Sequence, residues 1–343
     1  MNPTPPPTPG EPATSPSAAP PPFPPQIILV PLDFSARARK ALRYAGAFAR
    51  QFGSRLQLLH VTEPLAYPTD LGYAPVVSGE LETELQEGSR ERLVATVEEV
   101  RRTGVPVEGC LRVGRPHSEI AAAAWELKAD LVVVTTHGFT GLKHVLLGSV
   151  AERVVRHAPC PVLVVREQQR EFLPPSESAP GTEASPAAEE PLRLERLLVP
   201  VDFSEASRAA LDYAGHLARQ FQARLLLVHV TELPYLDAHL ADVDTRAFEE
   251  STRQSSTEQL DRLVAAQRQA GLTVEGRLLT GAAWHETVRV AQEDQTQLIV
   301  AGTHGYTGLK HALLGSTAER IVRHAPCPVL VVRARPAPEP AKP

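Results

Sequence analysis

The sequence predicts two tandem α/β domains, each a doubly wound parallel sheet of five strands, paired about a pseudo-two-fold axis. Three observations lead there. The chain of 343 residues contains a duplication: residues 29–35 (LVPLDFS) return as 198–204 (LVPVDFS), and 136–165 match 303–332 at 26 of 30 positions. Short apolar runs alternate with segments of helical periodicity inside each copy. Those runs are apolar throughout, as parallel strands covered on both faces must be.

In the first copy, residues 27–30 are an apolar run ending at Pro31 and predict the first strand. Ser35 offers an N-cap, Leu42, Ala45, Phe48, Ala49 and Phe52 follow at helical spacing, and Gly53 suits the stop. The second strand spans 56–61, and 78–104 form a Glu/Arg-rich amphipathic helix. A third strand at 105–113, a helix at 117–128 and a fourth strand at 131–134 follow. The copy closes with a short helix at 149–158, halted by Pro159, and a fifth strand at 161–165. The second copy repeats this order at an offset of 169, falling to 167 from Gly114 and Gly281 onward.

Proline marks the boundaries. Of 33 prolines, twelve lie in 1–25, five in 174–191 and four in 336–343. These stretches predict a disordered tail at 1–25, a linker at 168–194 and a second tail at 335–343, leaving domains at 26–167 and 195–334. Aromatic residues make up only 5% of the chain, so Ala, Val and Leu are expected to fill the core.

Charge excludes one class of partner. The first domain carries 17 basic and 16 acidic residues and the second 14 and 17, so neither has the basic excess of a nucleic-acid binder. Cys110, Cys160 and Cys327 cannot build a disulfide framework and suggest a reducing compartment. The first basic residue is Arg37, so residues 1–36 lack a secretory n-region, and no apolar run reaches the roughly 18 residues of a membrane span. A cytoplasmic protein without membrane or nucleic-acid contact is expected.

In an open parallel sheet, ligands bind beyond the carboxyl ends of the strands, at the switch point. Asp33 and Asp202 follow the first strand of each copy, and Val61 and Val230 end the second. After the fourth strand the second copy reads Gly302-x2-Gly305-x9-Gly315-Ser316; the first reads likewise through Gly138, Gly148 and Ser149, with Thr135 at the first glycine position. Glycines let backbone N–H groups approach an anion, and the helix beginning at Ser149 or Ser316 aims its positive end there. A polyphosphate is the expected ligand.

These motifs resemble the universal stress protein family, in its ATP-binding subgroup, over both domains. The resemblance implies a Rossmann-like fold related to the adenine nucleotide alpha hydrolases. It also implies ATP as ligand, with Mg²⁺ or Mn²⁺ held through the phosphates, and pairing through the last strands, within the chain or in a homodimer. It assigns Asp33, Val61, Asp202 and Val230 to adenine and ribose, with Pro31, Val134, Pro200 and Ala301 beside them. The phosphates fall to Gly138, Gly148, Ser149 and Val150 in one copy, and to Gly302, Gly305, Gly315, Ser316 and Thr317 in the other. Gly114-Arg115-Pro116 also fits the family, whereas Gly281-Ala282-Ala283 lacks the proline. The function implied is nucleotide-dependent regulation in stress response; an interaction scaffold of the same fold, or a slow ATPase or autokinase, is the alternative.

Several residues admit two uses. Asp33 and Asp202 suit nucleotide contact or a turn before a Ser-capped helix. Ser149-x-x-Glu152 and Ser316-x-x-Glu319 fit a capping box as well as phosphate binding. His137 and His304 either donate to phosphate or pack on the loop, and Lys143 and Lys310 either reach it or stay solvated. His144, His157 and Cys160 repeat as His311, His324 and Cys327, but one thiol between prolines suits a buried hydrophobe better than a zinc ligand. No Walker or nucleophile-elbow motif is present, so no catalytic residue is assigned. If the first loop glycine must leave room for a phosphate or adopt positive φ, Thr135 is a poor replacement, costing about 1–3 kcal/mol where φ is positive, and the C-terminal site binds ATP more tightly; at an ordinary strand end Thr is acceptable.

Overall fold

The structure is a computed structural model, in which residues 22–63, 79–136, 148–167, 169–173, 192–232, 245–303 and 314–333 are described. The first copy runs β1 (Ile27–Leu32), α1 (Ala36–Phe52), β2 (Arg55–Thr62), α2 (Gly79–Arg101), β3 (Val107–Val113), α3 (Pro116–Glu126), β4 (Leu131–Thr135), α4 (Ser149–His157) and β5 (Val162–Val165). The second runs β6 (Arg196–Pro200), α5 (Glu205–Phe221), β7 (Arg224–Thr231), α6 (Thr245–Gln269), β8 (Val274–Thr280), α7 (Ala283–Glu293), β9 (Leu298–Gly302), α8 (Ser316–His324) and β10 (Val329–Val332).

Local chemistry sets the helix ends. Ser35 Oγ accepts from Ala38 N at 3.1 Å to start α1, and Gly53 closes it at φ 69°, a left-handed conformation glycine adopts without strain. Ser204 repeats the start in α5, accepting from Ser207 N at 3.2 Å. Strand β1 sends Ile28, Val30 and Leu32 into one layer and Leu29 into the other. Helices α1, α2, α5 and α6 cover the first layer, and α3, α4, α7 and α8 the second. None of the described helices is long and apolar enough to cross a membrane.

All ten strands form one sheet in the order β3-β2-β1-β4-β5-β10-β9-β6-β7-β8. Each half is parallel within itself, and the halves meet antiparallel at β5 and β10, with Leu163 opposite Leu330. The palindromic order is the pseudo-two-fold pairing that the duplication predicts. It covers two apolar edges that would otherwise be sticky.

Two arginines reinforce this seam. Arg166, just after β5, donates from Nη1 to Ala325 O at the C-terminal end of α8, at 2.8 Å. Arg333, just after β10, donates to Arg156 O in the last turn of α4. Each cation thus meets the negative end of the other half's helix. A charge-assisted bond of this kind is worth about 1.5–3 kcal/mol. The Arg166→Ala, Arg333→Ala double variant is expected to unfold at clearly lower urea concentration; an unchanged midpoint would show the bonds to be dispensable.

Beside the Ala/Val/Leu layers stands an aromatic cluster that composition did not suggest. Phe23 lies 5.2 Å from Phe52 and 5.5 Å from Tyr213, Phe52 lies 5.9 Å from Phe221, and Phe172 lies 5.0 Å from Tyr44. These rings gather where α1 and α5 approach across the seam. Glu171 pairs with Lys40 at 2.6 Å, and Phe172, Leu173, Leu192 and Leu194 are buried, so the segments flanking residues 174–191 are packed against the domains.

Candidate functional site

The carboxyl end of each first strand turns sharply. Asp33 Oδ1 accepts from Ser35 N at 3.0 Å, and Asp202 Oδ1 accepts from Ser204 N at 3.0 Å and from Ser204 Oγ at 2.5 Å. Between them Phe34 and Phe203 take φ of 60° and 63°, a strained conformation for a bulky side chain. Each ring stacks on a histidine of the neighbouring strand, His60 or His229, at 4.4 Å. The histidine Nδ1 in turn lies 2.7 Å from Leu32 O or Val201 O, holding the strand end in place. The turn role of both aspartates is therefore real, and it leaves each half-buried carboxylate at the sheet edge where a ligand would lie. Pro31 and Pro200 lie in β1 and β6, and Val61 and Val230 are half-buried at the ends of β2 and β7.

The fourth strand of each copy leads to the second part. Val134 and Ala301 are buried, and Thr135 and Gly302 end β4 and β9. Thr136 O accepts from Gly148 N, and Thr303 O accepts from Gly315 N at 2.7 Å, so the two ends of each loop are stapled together. Residues 137–147 and 304–313 between them, with His137, Gly138, Lys143, His304, Gly305 and Lys310, lie outside the described residues.

Two expectations change here. Gly302 does not have positive φ; it is an ordinary strand residue. A Cβ there would lie 2.7 Å from the backbone C and O of Ala206, so the glycine serves the close approach of α5 to β9. Thr135 at the equivalent strand end is likewise outside positive φ, so backbone strain gives no reason for a weaker N-terminal site. Gly302→Thr should instead cost about 1–3 kcal/mol of stability by overpacking, read as a lower melting midpoint; an unshifted midpoint would contradict the packing role.

The capping box also does not form. Gly148 and Gly315 occupy the N-cap positions with extended ψ of 139° and 146°, so Ser149 and Ser316 fall one residue inside the helices. Neither helix has a side-chain cap, and Glu152 and Glu319 pair instead with Arg156 at 2.8 Å and Arg323 at 2.6 Å. Ser149, Val150 and Ser316 are exposed and Thr317 half-exposed, all in the first helical turn. First-turn amides without a side-chain cap suit an anionic acceptor.

In the C-terminal half these elements border a cleft of about 450 Å³ between the starts of α7 and α8, walled by Glu232, Gly281, Trp284, Ser316, Thr317 and Arg320. The missing proline of this half is compensated: Ala283 has the N–H that Pro116 lacks, and donates it to Glu232 Oε1 at 2.9 Å. Arg320 lies over the Trp284 ring at 5.8 Å. In the N-terminal half the same places hold His117 and Arg153, 3.5 Å apart from Nε2 to Nη1. Sequence reasoning missed these four residues, although the offset of 167 aligns His117 with Trp284 and Arg153 with Arg320.

His324 and Cys327 serve packing. His324 packs on Trp284 at 5.2 Å, and burial pushes the Cys327 thiol up to about 12. No three His, Cys, Asp or Glu side chains among the described residues converge as metal ligands. The uncapped start of α8, with the Ser316 and Thr317 hydroxyls and the Arg320 guanidinium in the cleft wall, suits an anionic group, whereas Asp202 is not among the residues that wall this cleft.

Comparison with known proteins agrees with this geometry. The profile of the universal stress protein family matches residues 25–166 and 193–333. A universal stress protein of Mycobacterium tuberculosis is 29% identical over 325 residues, covering 89% of this chain and 96% of its own. One from Thermus aquaticus is 39% identical over 142 residues, 41% of this chain and 98% of its own. Among solved structures, a universal stress protein from Archaeoglobus fulgidus superposes with a TM-score of 0.65 at 23% identity, covering 90% of this chain and 96% of that one.

Proposed function

Because the chain belongs to the universal stress protein family, with two such domains in tandem, we propose that it is a nucleotide-dependent regulator whose two crevices each bind ATP. The observation that carries this reading is the uncapped start of α4 and α8. In the C-terminal half that helix N-terminus, with exposed Ser316, borders the cleft; α4 begins in the same way at exposed Ser149, and Asp33 and Asp202 stand just beyond the carboxyl ends of β1 and β6. In that arrangement the first-turn amides and hydroxyls take the phosphates, and the carboxylate accepts from ribose hydroxyls. A divalent Mg²⁺ or Mn²⁺ ion would ride on the phosphate oxygens and offset their charge.

Occupancy of the crevices then acts on domain surface rather than on turnover, since a ligand shifts a protein toward whichever state it binds better. Mass spectrometry of small molecules released from the denatured, purified chain tests the assignment, with ATP or ADP expected at up to two per chain. Protein that carries none, and takes none up from added ATP, would favour an interaction scaffold. Phosphate release by the same sample separates a regulator from a slow ATPase.

A further inference from the structure

The duplicated halves differ at several corresponding positions around the cleft, among them Arg115 against Ala282, His117 against Trp284 and Val150 against Thr317, and the first two concern charge. We propose that His117 and Arg153 form a proton-linked grip on the phosphate tail in the N-terminal crevice, whereas Trp284 and Arg320 make the C-terminal crevice indifferent to pH. This rests on the nucleotide reading and deepens it, by assigning the two halves different conditions of occupancy.

His117 is the second residue of α3 and Arg153 the fifth of α4, so both stand at helix starts that face one another across the crevice. His117 Nε2 lies 3.2 Å from Ser118 Oγ and 3.5 Å from Arg153 Nη1. A guanidinium only donates, so a hydrogen bond between these two groups requires Nε2 to accept, as in the neutral ring with its proton on Nδ1. The groups facing this ring are Arg115 before α3, Arg153 and His157 on α4, and Glu63 at the end of β2. Partial burial, then Arg153, His157 and Arg115, hold the imidazolium below its ordinary range, against the single opposing carboxylate. Without an anion, a second positive charge there is repelled.

A phosphate between Arg153 and His117 reverses that balance. It accepts from the guanidinium and stabilises the proton on Nε2, so nucleotide binding takes up a proton. The sign follows: the gain is fully present below the pKa His117 has without nucleotide and is lost as pH rises from there through its pKa in the complex.

Among the described residues the C-terminal crevice has no counterpart of this group. Trp284 does not titrate, and Arg320 lies over its ring at 5.8 Å. His324 packs on Trp284 and is not among the residues walling the cleft; His285 is engaged with Glu286 at 3.1 Å. Glu232 is occupied at Ala283 N.

The chain has two tryptophans, so Trp125→Phe leaves Trp284 as a fluorescent reporter inside the C-terminal crevice alone. In that full-length background, ATP titrations by Trp284 fluorescence report the C-terminal site, and calorimetry reports both. Between pH 8 and pH 6, N-terminal affinity is expected to rise about tenfold more than C-terminal affinity, since titration of the nucleotide's own phosphates is common to both. His117→Gln should remove the excess. Trp284→His, followed by calorimetry, should confer it on the second site. Equal pH profiles at the two sites, or an excess that survives His117→Gln, would overturn the proposal. Failure of either site to bind ATP at any pH would instead overturn the nucleotide reading on which it rests.

Discussion

On the proposed function, replacing Asp202 by Asn is expected to weaken ATP binding in the C-terminal half by about ten- to hundredfold and to leave the melting midpoint in place. The two effects separate because the carboxylate has two tasks. Its Oδ1 anchors the turn by accepting from Ser204 N at 3.0 Å, and an Asn Oδ1 accepts that bond equally well. What Asn removes is the negative charge offered to a ribose hydroxyl, and a bond to a charged group is worth about 1.5–3 kcal/mol. Asp33→Asn does the same in the N-terminal half, where Ser35 N is the anchored donor. Asp202→Ala, by contrast, also releases the turn that holds Phe203 at φ 63° and lowers stability as well. Isothermal calorimetry with a parallel thermal melt checks the pair; wild-type affinity in Asp202→Asn would remove the carboxylate from the site.

The second large effect is expected at the seam. Leu330 faces Leu163 across the antiparallel junction, and both are essentially inaccessible, at 2% and 0% exposure. Leu330→Glu places a carboxylate there with no cation opposite, and an uncompensated buried charge costs about 3–5 kcal/mol. The expected outcome is a chain whose halves separate at moderate urea and whose freed β5 edge pairs with other chains, seen as higher-mass species in size-exclusion chromatography with light scattering. Wild-type elution and an unchanged urea midpoint would mean that the halves are held mainly by the aromatic cluster around Phe23, Phe52 and Phe172.

The two predictions test features of different legibility. Asp202 and the Ser-capped start of α5 were readable from the chain, because an Asx turn and an N-cap join groups only two or three residues apart. The exposed Ser149 was readable as part of a glycine-serine motif, but its place was not: the S-x-x-E spacing suits a capping box, and only the extended backbone of Gly148 moves Ser149 one residue into the helix. For Gly302 the packing constraint was not legible. Its constraint is Ala206, nearly a hundred residues earlier in the chain, and nothing in its neighbours announces that contact. His117 and Trp284 went unnoticed because each is an ordinary helix residue until α4 or α8 brings an arginine beside it.

By itself the sequence determined the duplication, the alternation of strand and helix, and the strand ends at which ligand groups collect. Those features follow from burial periodicity and turn chemistry, which act over a few residues and are therefore written locally. The tertiary structure alone decided that Ala206 confines Gly302, that Arg166 and Arg333 reach the opposite half, and that His117 and Trp284 each lie beside an arginine of the next helix. Each of these depends on contacts between residues far apart in the chain, and the free energy of such contacts comes from geometry that local spacing does not carry.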